Sequence, residues 1–413
     1  MIYIYSFLLY LISPFILIYL KKRSLKNKEY AKFWNERFAI GIKNPQEKPI
    51  IWLHSVSVGE TRAMTKLVEI LTKSYPQYQL LITNTTPTGR NTAKTLYPQA
   101  IVHYVPYDLV YSVNSFYSTF KPVVGLIMET EIWPNLVRLA KTHQIPLFLA
   151  NARLSDKSYQ NYAKFGWFML PIIKKFEGIF CQNEQTLQRF VKLGYKGNLK
   201  ELGNTKFDLA LDFNPSILED ILDKKANRMV ISFISSRDGE EKQLIDCIKP
   251  RLDRLYIIIP RHPERFKLVE ELLINKGISY QKRSENSQIN PQTQVLLGDS
   301  MGEIPQYLKI TDLALMGGSF EPFGGHNLIE PVYFEVPVIV GPNVYNFEKI
   351  AHDMLEEQCI IQVEDMEKAF AQIDQIMQNQ QKYMELVNNC KGFVQKYAGA
   401  SQRIVDQIEK YLK

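Results

Sequence analysis

The amino-acid sequence predicts an α/β protein built from two doubly wound, parallel-sheet domains behind an N-terminal transmembrane anchor helix. Three observations predict this fold class. The chain has 413 residues, more than one hydrophobic core usually organises. Short apolar runs alternate with helical periodicity in two successive series, as strands do with crossover helices. The first 20 residues carry no charged side chain, so we predict a membrane anchor at residues 1–20.

The anchor is predicted from the length and the flanks of this apolar segment. Twenty helical residues span roughly 30 Å, the thickness of a bilayer core. A basic stretch before the segment and a small-x-small cleavage site are both missing, which favours an anchor over a cleaved signal peptide. Seven Lys or Arg against two Glu follow at residues 21–37. The positive-inside rule therefore predicts a single pass through a bacterial inner membrane, with residues 21 onward in the cytoplasm.

Residues 21–48 are predicted as a basic, amphipathic, membrane-proximal segment. Aromatic and basic side chains alternate in it: Tyr30, Lys32, Phe33, Trp34, Arg37 and Phe38. Two interpretations stay open, a stretch lying at the lipid interface or an ordinary packed helix of the first domain. Basic charge directly behind an apolar segment indicates anionic membrane lipids as partners and argues against a nucleic-acid partner.

We predict a first domain at residues 49–205, a linker at 206–228 and a second domain, with the closing helices, at 229–413. The strands of the first domain are expected at 50–57, 79–84, 101–106, 123–128, 146–150 and 178–183. Those of the second are expected at 229–235, 256–260, 295–297, 313–316, 337–340 and 360–363. Two Rossmann-like domains facing a central crevice match the GT-B outline, which several classes of nucleotide-dependent enzyme share.

Several classes of enzyme are disfavoured because their characteristic motifs are missing from the sequence. The apolar fraction of 46% is that of a globular protein. The chain has no G-x-x-x-x-G-K-[ST] and no strand-linked G-x-G-x-x-G, which argues against a P-loop enzyme and an NAD-dependent oxidoreductase. Its four cysteines form no C-x-x-C, and its six histidines show no zinc spacing. We therefore expect no metal and no cofactor.

Polar residues cluster at the predicted strand ends of the first domain. The run HSVSVGE ends on Glu60, which is either a general base or a helix-start glutamate stabilised by the helix dipole. Gly59 is expected to permit a tight turn. The run TNTTPTGR has the composition of an anion cradle, in which Arg90 contacts a phosphate.

Two carboxylates mark a further strand end of this domain, and a lysine lies at the predicted domain junction. In METEIWPN, Glu129 and Glu131 are interpreted as one crevice carboxylate and one helix N-terminal residue, and not as a metal pair. In GNTKFD, Lys206 either meets a phosphate or carboxylate or is a solvated surface lysine.

The second domain carries arginines and glycines at its strand ends. The loops at 235–241 and 260–265 each place an arginine, Arg237 and Arg261, at a helix start where an anion would be held. Glycines at 298–302, 317–318 and 324–325 let the backbone approach a ligand closely. Glu330, one turn beyond Asn327, has the position of an acid that accepts hydrogen bonds from ribose.

These runs occur in the order of one known family. With PRHPERF, GDSMGE and GGSFEPFGGHNLIEP, the chain resembles bacterial 3-deoxy-D-manno-octulosonic acid (Kdo) transferases over essentially its whole length. The resemblance implies an inverting, metal-independent GT-B enzyme of lipopolysaccharide biosynthesis. The implied donor is CMP-Kdo, and the implied acceptor is lipid IVA, the lipid A precursor.

The resemblance also implies roles for individual residues. The general base matches Glu60, and Lys206 and Arg261 are the cations expected to stabilise the charge of the leaving phosphate. The substrate side is expected at Ser57, Gly59, Arg90, Glu129 and Glu131. The nucleotide side is expected at Arg261, His262, Met301, Gly302, Glu303, Gly318, Asn327 and Glu330.

Three other classes compete with this interpretation. A membrane-tethered GT-B transferase with another nucleotide sugar would share the fold and the anchor and differ in the loops of the second domain. A non-catalytic nucleotide-sugar-binding module would need no base at Glu60. A sugar-nucleotide epimerase has the same architecture but needs no membrane anchor.

Overall fold

The computed structural model describes residues 1–45, 47–208, 228–249, 251–285 and 289–412. The chain divides into two compact units. The first unit comprises Met1–Ala210 and Tyr397–Lys413, and the second comprises Leu211–Lys396. Most of the predicted linker at 206–228 lies outside the described residues.

The first unit begins with a long helix and continues as alternating strands and helices. Its helices before residue 209 are α1 (Ile2–Lys26), α2 (Trp34–Phe38), α3 (Val58–Ala63), α4 (Thr65–Ser74), α5 (Pro87–Leu96), α6 (Val110–Phe120), α7 (Pro134–Thr142), α8 (Asp156–Lys164), α9 (Gly166–Ile173) and α10 (Glu184–Lys192). Its strands are β1 (Ile50–Ser55), β2 (Gln79–Asn84), β3 (Ile101–Tyr104), β4 (Val124–Met128), β5 (Leu147–Ala152), β6 (Gly178–Cys181) and β7 (Asn198–Glu201). Within the described residues they form one parallel sheet in the order β3-β2-β1-β4-β5-β6-β7.

The second unit repeats this plan. Its strands are β8 (Met229–Ser236), β9 (Arg254–Pro260), β10 (Tyr280–Lys282), β11 (Val295–Leu297), β12 (Leu313–Met316), β13 (Val338–Val340) and β14 (Ile360–Gln362). Its helices are α11 (Glu240–Cys247), α12 (Phe266–Lys276), α13 (Ile304–Ile310), α14 (Ile329–Tyr333), α15 (Glu348–Glu356), α16 (Met366–Gln378) and α17 (Gln380–Tyr397). In the part of the chain that is described, the strands form a parallel sheet in the order β10-β11-β9-β8-β12-β13-β14.

The predicted fold class is confirmed, because two doubly wound parallel sheets follow one another and every predicted strand is present. Two strands were missed, β7 and β10, and each lies at an edge of its sheet. Their side chains are exposed or half-buried, with polar sequences NLKE and YQK. An edge strand that buries neither face has no apolar run, so periodicity cannot reveal it.

The last helix, α18 (Ala400–Ile408), differs from the prediction that the closing helices all belong to the second domain. Its apolar side chains Ile404, Val405 and Ile408 are buried in the core of the first unit beside residues of β1 and α4. Asp208 accepts hydrogen bonds from the backbone N–H groups of Gly399 and Ser401, each at 2.5 Å. The chain therefore ends in the unit in which it began.

Helix α1 is long and apolar enough to cross a membrane by length and composition. One stripe of it lies against the first unit: Tyr5 Oη donates to Asp108 Oδ2 at 3.0 Å, and Ser6 Oγ donates to Asn135 Oδ1 at 3.0 Å. The other faces present exposed apolar side chains, Phe7, Phe15 and Ile18 among them. The helix is thus attached to the first unit along one side and apolar on the others.

Candidate functional site

Glu60 lies just beyond the carboxyl end of β1, in the first turn of α3. Ser57 is the N-cap of this helix, and its Oγ lies 3.4 Å from the backbone N of Glu60. In return, Glu60 Oε2 accepts from the backbone N–H of Val56 at 2.7 Å, and Oε1 accepts from Ser57 Oγ at 3.0 Å. This reciprocal pattern resembles a capping box. The helix-start interpretation therefore explains how the carboxylate is held in place, and it leaves the base interpretation open.

The surroundings of Glu60 favour a proton-accepting role. Burial raises its pKa, and the nearby negative charge of Glu129 raises it further, whereas the Val56 N–H and the charge of Lys206 act in the opposite direction. A carboxylate with a raised pKa is better matched to proton abstraction near neutral pH.

Gly59 does not have the role that the sequence suggested. It lies inside α3 with helical backbone geometry, and a Cβ there would meet only Ser57 Oγ, at 3.9 Å. The tight-turn explanation is therefore wrong, and Gly59 instead leaves open space beside Glu60.

Glu129 and Lys206 form an ion pair at the carboxyl edge of the same sheet. Lys206 Nζ lies 3.1 Å from Glu129 Oε1. Glu129 directly follows β4 and has φ +58°, a conformation that costs a non-glycine residue on the order of 1 kcal/mol and often marks a functional site. Lys206 is consequently not a free surface lysine.

Asn151 positions Lys206 and was not singled out by the sequence. Asn151 lies near the end of β5, also with positive φ, at +51°. Its Oδ1 accepts from the backbone N–H of Thr205 at 3.0 Å, at the start of the short helix Thr205–Phe207 that carries Lys206. A contact between residues 54 positions apart leaves no local pattern in the sequence.

Glu131 completes the acidic group. Burial raises its pKa to about 7, the negative charges of Glu60 and Glu129 raise it as well, and the Trp133 indole N–H, 2.8 Å from Oε2, lowers it. Neither Glu129 nor Glu131 belongs to a strand, because β4 ends at Met128. We call Glu60, Glu129, Glu131 and Lys206 the acid cluster.

Arg90 is not placed with the acid cluster. Its guanidinium is 4% exposed and binds Glu36 in a bidentate pair, with Nη2–Oε1 at 2.6 Å and Nε–Oε2 at 3.1 Å. The Phe33 ring covers it at 3.9 Å. The expected phosphate contact is therefore not supported, since the fork that would bind phosphate is occupied by a carboxylate.

The same contacts decide between the two interpretations of the membrane-proximal segment. Arg37 is 3% exposed, stacks on the Tyr104 ring at 3.7 Å and donates to the Thr85 carbonyl at 3.1 Å. Helix α2 is thus a packed element of the first unit. The neighbouring run at 83–90 is held to the Val56 loop by Thr86 Oγ1, which donates to the Val56 carbonyl at 3.0 Å.

In the second unit, basic side chains gather after β8 and β9. Arg237 Nη1 lies 2.6 Å from His262 Nε2, and the guanidinium lies over the Phe323 ring at 4.6 Å. Burial lowers the pKa of His326 to about 4, and the positive charges of Arg261, Arg237 and His262 contribute to this. We call Arg237, Arg261, His262 and His326 the cation cluster.

Glu240 supports this cluster and was missed as a functional residue. Its carboxylate is fully buried and accepts from the backbone N–H groups of Arg237 at 2.9 Å, Gly318 at 2.8 Å and Phe320 at 2.9 Å. Gly318 has φ +72°, a conformation that favours glycine. Glu240 therefore links the arginine loop to the glycine-rich loop. In the sequence, this role is indicated only by an acidic residue at the start of a helix that follows a strand.

The remaining predicted nucleotide residues are divided between two places. Burial raises the pKa of Glu330, while the charge of Arg261 lowers it, so Glu330 lies within electrostatic range of the cation cluster. Asn327 Oδ1 accepts from the backbone N–H of Ile329 at 3.2 Å.

The run at 301–303 has other contacts. Glu303 Oε2 accepts from Ser300 Oγ at 2.5 Å and pairs with Arg283 Nε at 3.2 Å, while Met301 is exposed and Gly302 has φ +81°. Within the described residues, no hydrogen bond or ion pair joins 301–303 to the cation cluster.

Family models match both halves of the chain. Residues 32–209 match a model described as 3-deoxy-D-manno-octulosonic-acid transferase, and residues 277–393 match glycosyl transferases group 1. These matches agree with a glycosyltransferase.

Relatives cover the chain from end to end. The 3-deoxy-D-manno-octulosonic acid transferase of Haemophilus influenzae is 33% identical over 100% of this chain and 99% of its own length. The protein of the same name from Rickettsia bellii is 31% identical over 98% of each chain.

Among solved structures, UDP-GlcNAc 2-epimerase from Neisseria meningitidis covers 88% of this chain and 100% of its own, with a TM-score of 0.55 and 14% identity. That likeness shows the fold alone, the architecture that transferases and epimerases share. Full-length identity above 30% shows more than a fold: the chain is a glycosyltransferase that belongs to the 3-deoxy-D-manno-octulosonic acid transferase family.

Proposed function

We propose that this enzyme transfers Kdo, with inversion, from CMP-Kdo to lipid IVA, and that it needs no metal. The observation that carries the proposal is Glu60: a carboxylate of raised pKa, fixed by Val56 and Ser57, beside Lys206 and Glu129. Family membership supports Kdo as the transferred group.

The first unit supplies the acceptor half of the reaction. Glu60 removes the proton of a primary hydroxyl of the acceptor, and the oxygen attacks the anomeric carbon of Kdo. Open space at Gly59 lets the acceptor approach the carboxylate. The charge of Lys206 keeps Glu60 ionised, and its pairing with Glu129 holds the ammonium in place.

The second unit supplies the donor half. As the bond from the anomeric carbon to the phosphate oxygen breaks, negative charge grows on CMP. Arg261 stabilises this charge as a fixed positive group. Asn327 and Glu330 follow on the nucleotide side, where an acid accepts hydrogen bonds from ribose.

We place the enzyme at an anionic membrane surface, on the cytoplasmic side of a bacterial inner membrane. Exposed apolar faces of α1 and the exposed basic residues Lys21, Lys22 and Arg23 behind them support this location. Tyr5 and Ser6 of α1 are hydrogen-bonded to the first unit, and a helix that crossed the bilayer would have to break these contacts. They therefore restrict how α1 can be oriented relative to the membrane.

The reaction is tested with purified protein, lipid IVA and a CMP-Kdo-generating system in detergent with EDTA, with products read by mass spectrometry. Glu60→Gln runs beside the wild type, and Glu69→Gln, which makes the same charge change in an exposed ion pair of α4, is the matched control. We expect a lipid heavier by one or more Kdo units with the wild type and the control, but not with Glu60→Gln. An unchanged lipid with folded wild-type protein would refute the proposed donor–acceptor pair, and product only without EDTA would refute metal independence.

A further inference from the structure

The cation cluster contains two arginines that lack an acidic partner within the structure. In the described residues, neither Arg237 nor Arg261 forms an ion pair with a carboxylate, although many other arginines here do. The Arg237 guanidinium contacts a histidine nitrogen and an aromatic ring. Holding like charges together without an ion-paired acid is unfavourable, so this arrangement indicates a ligand that brings negative charge.

Acids near Arg237 in the sequence are engaged elsewhere. Asp238 and Glu241 both pair with Arg265, at 2.6 Å and 3.0 Å. The carboxylate of Glu240 is occupied by backbone N–H groups, including that of Arg237 itself. Glu321 accepts from Gln243 Nε2 at 2.6 Å. Among the described residues, the Arg237 guanidinium therefore has His262 Nε2 as a polar contact, at 2.6 Å, and no carboxylate, which leaves the rest of the fork for an external anion.

The two arginines are held as neighbours by the sheet. Strands β8 and β9 pair in parallel with Ser236 opposite Pro260, and Arg237 and Arg261 are the next residues on each strand. The backbone N–H of Arg261 donates to the Ser236 carbonyl at 3.0 Å. The positive charges of both arginines act on His326, so the two guanidinium groups lie in one neighbourhood.

A buried polar atom in the same cluster also lacks a partner. Within the described part of the chain, His326 Nε2 is buried without a hydrogen-bond partner, next to Gly318, where an added Cβ would lie 3.1 Å from it. A buried polar atom left unsatisfied is costly, which is a second indication that a polar ligand completes this site.

The proposed donor has the matching pattern of charge. In CMP-Kdo one carbon, the anomeric one, carries both the carboxylate and the oxygen that leads to the phosphate. Its two negative groups are therefore close together and need two neighbouring cations. The proposed function assigns Arg261 to the leaving phosphate, and this leaves Arg237, which has no carboxylate partner in the described residues, for the carboxylate of the sugar.

We infer that Arg237 binds the carboxylate of the transferred sugar while Arg261 binds the phosphate, so that the pair selects donors bearing an acid on the anomeric carbon. This inference rests on the proposed function. Bidentate binding of a carboxylate is the geometry that a guanidinium fork provides. Glu240 holds the backbone of Arg237 and thereby fixes the position of the fork.

The test distinguishes binding of the phosphate from binding of the sugar carboxylate. The dissociation constant for CMP, which lacks the carboxylate, and the KM for CMP-Kdo are measured for wild type, Arg237→Gln, Arg237→Lys and Arg261→Gln. Lys267→Gln, whose side chain is 85% exposed, controls for net charge. A CMP-Kdo analogue with the carboxylate reduced to an alcohol completes a double-mutant cycle, and thermal unfolding of each variant checks the fold.

We expect Arg237→Gln to raise the KM for CMP-Kdo roughly 10- to 100-fold and to leave CMP binding within about twofold of wild type. Arg237→Lys should fall in between, and Arg261→Gln should weaken both ligands. In Arg237→Gln, the KM for the analogue should no longer be higher than the KM for CMP-Kdo.

Equal weakening of CMP and CMP-Kdo by Arg237→Gln, or an unchanged preference for the carboxylate in that variant, would overturn the inference. Absence of any transfer from CMP-Kdo by the wild type would instead refute the proposed function, so the two failures are distinguishable.

Discussion

Arginines that follow strands have opposite surroundings in the two units. Arg90, beyond β2 in the first unit, is buried and held by both oxygens of Glu36. Arg237 and Arg261, beyond β8 and β9 in the second unit, have no carboxylate partner among the described residues. The position of an arginine at a strand end therefore does not by itself identify an anion site, because an internal acid can already occupy the guanidinium.

The carboxylates differ between the units in the complementary way. Glu60, Glu129 and Glu131 gather around one lysine in the first unit, and burial raises the pKa of Glu60 and Glu131. In the second unit the carboxylate of Glu240 accepts hydrogen bonds from backbone N–H groups and is not available to a substrate. The first unit is thus suited to accepting a proton and the second to binding an anion, a contrast that five variants test.

Glu60→Gln should have the largest effect, a fall in kcat of roughly 100- to 10,000-fold, because an amide cannot accept the proton of the attacking hydroxyl. CMP affinity should stay within about twofold of wild type, since the nucleotide is assigned to the second unit. Initial rates of Kdo transfer and calorimetric titration with CMP measure the two quantities. A normal kcat would show that Glu60 is not the general base.

Glu36→Gln should lower the free energy of unfolding by about 3–5 kcal/mol, because it leaves the Arg90 charge buried without its counter-ion. The exposed pair Lys73–Glu69 is the matched control, and Glu69→Gln should cost less than about 1 kcal/mol. Urea unfolding followed by tryptophan fluorescence measures both. If Glu36→Gln were as mild as its control, Arg90 would again be a candidate for binding phosphate.

Arg261→Gln should raise the dissociation constant for CMP roughly 10- to 100-fold through loss of a charge-assisted contact. Arg90→Gln, if it folds, should leave CMP affinity unchanged because its guanidinium is already paired. Calorimetry compares the two variants. Equal losses of affinity would contradict the contrast between the paired and the unpaired arginines.

Glu129→Gln should have the smallest effect, a shift of the acid limb of the pH profile of kcat/KM to lower pH. The negative charge of Glu129 raises the pKa of Glu60, and the freed Lys206 would lower it more effectively. Both changes lower the pKa of Glu60, so the base stays ionised to lower pH and the limb moves to lower pH. A pH–rate profile of wild type and variant measures this, and a limb that moved to higher pH would show that Glu129 acts on Glu60 in another way.

Local sequence was sufficient for most of the fold and for part of the site. Twelve strands with apolar runs were predicted from periodicity, and their carboxyl ends located Glu60, Glu129 and Arg261, whereas Lys206 was found at the domain junction. The edge strands β7 and β10 were missed because they bury too little to require apolar residues. Helix α18 was assigned to the wrong unit because an amphipathic pattern specifies a buried face but not the partner that covers it.

Which groups stand at the strand ends can be predicted from the sequence, because alternation of apolar residues is a local property of the chain. Which of those groups already have an internal partner depends on how the chain folds. Glu36 meets Arg90 across 54 positions, Glu240 meets Gly318 across 78, and Asn151 meets the Lys206 loop across 54. Whether an ionised side chain is available to a substrate depends on such distant partners, because charge is compensated through space and not along the chain.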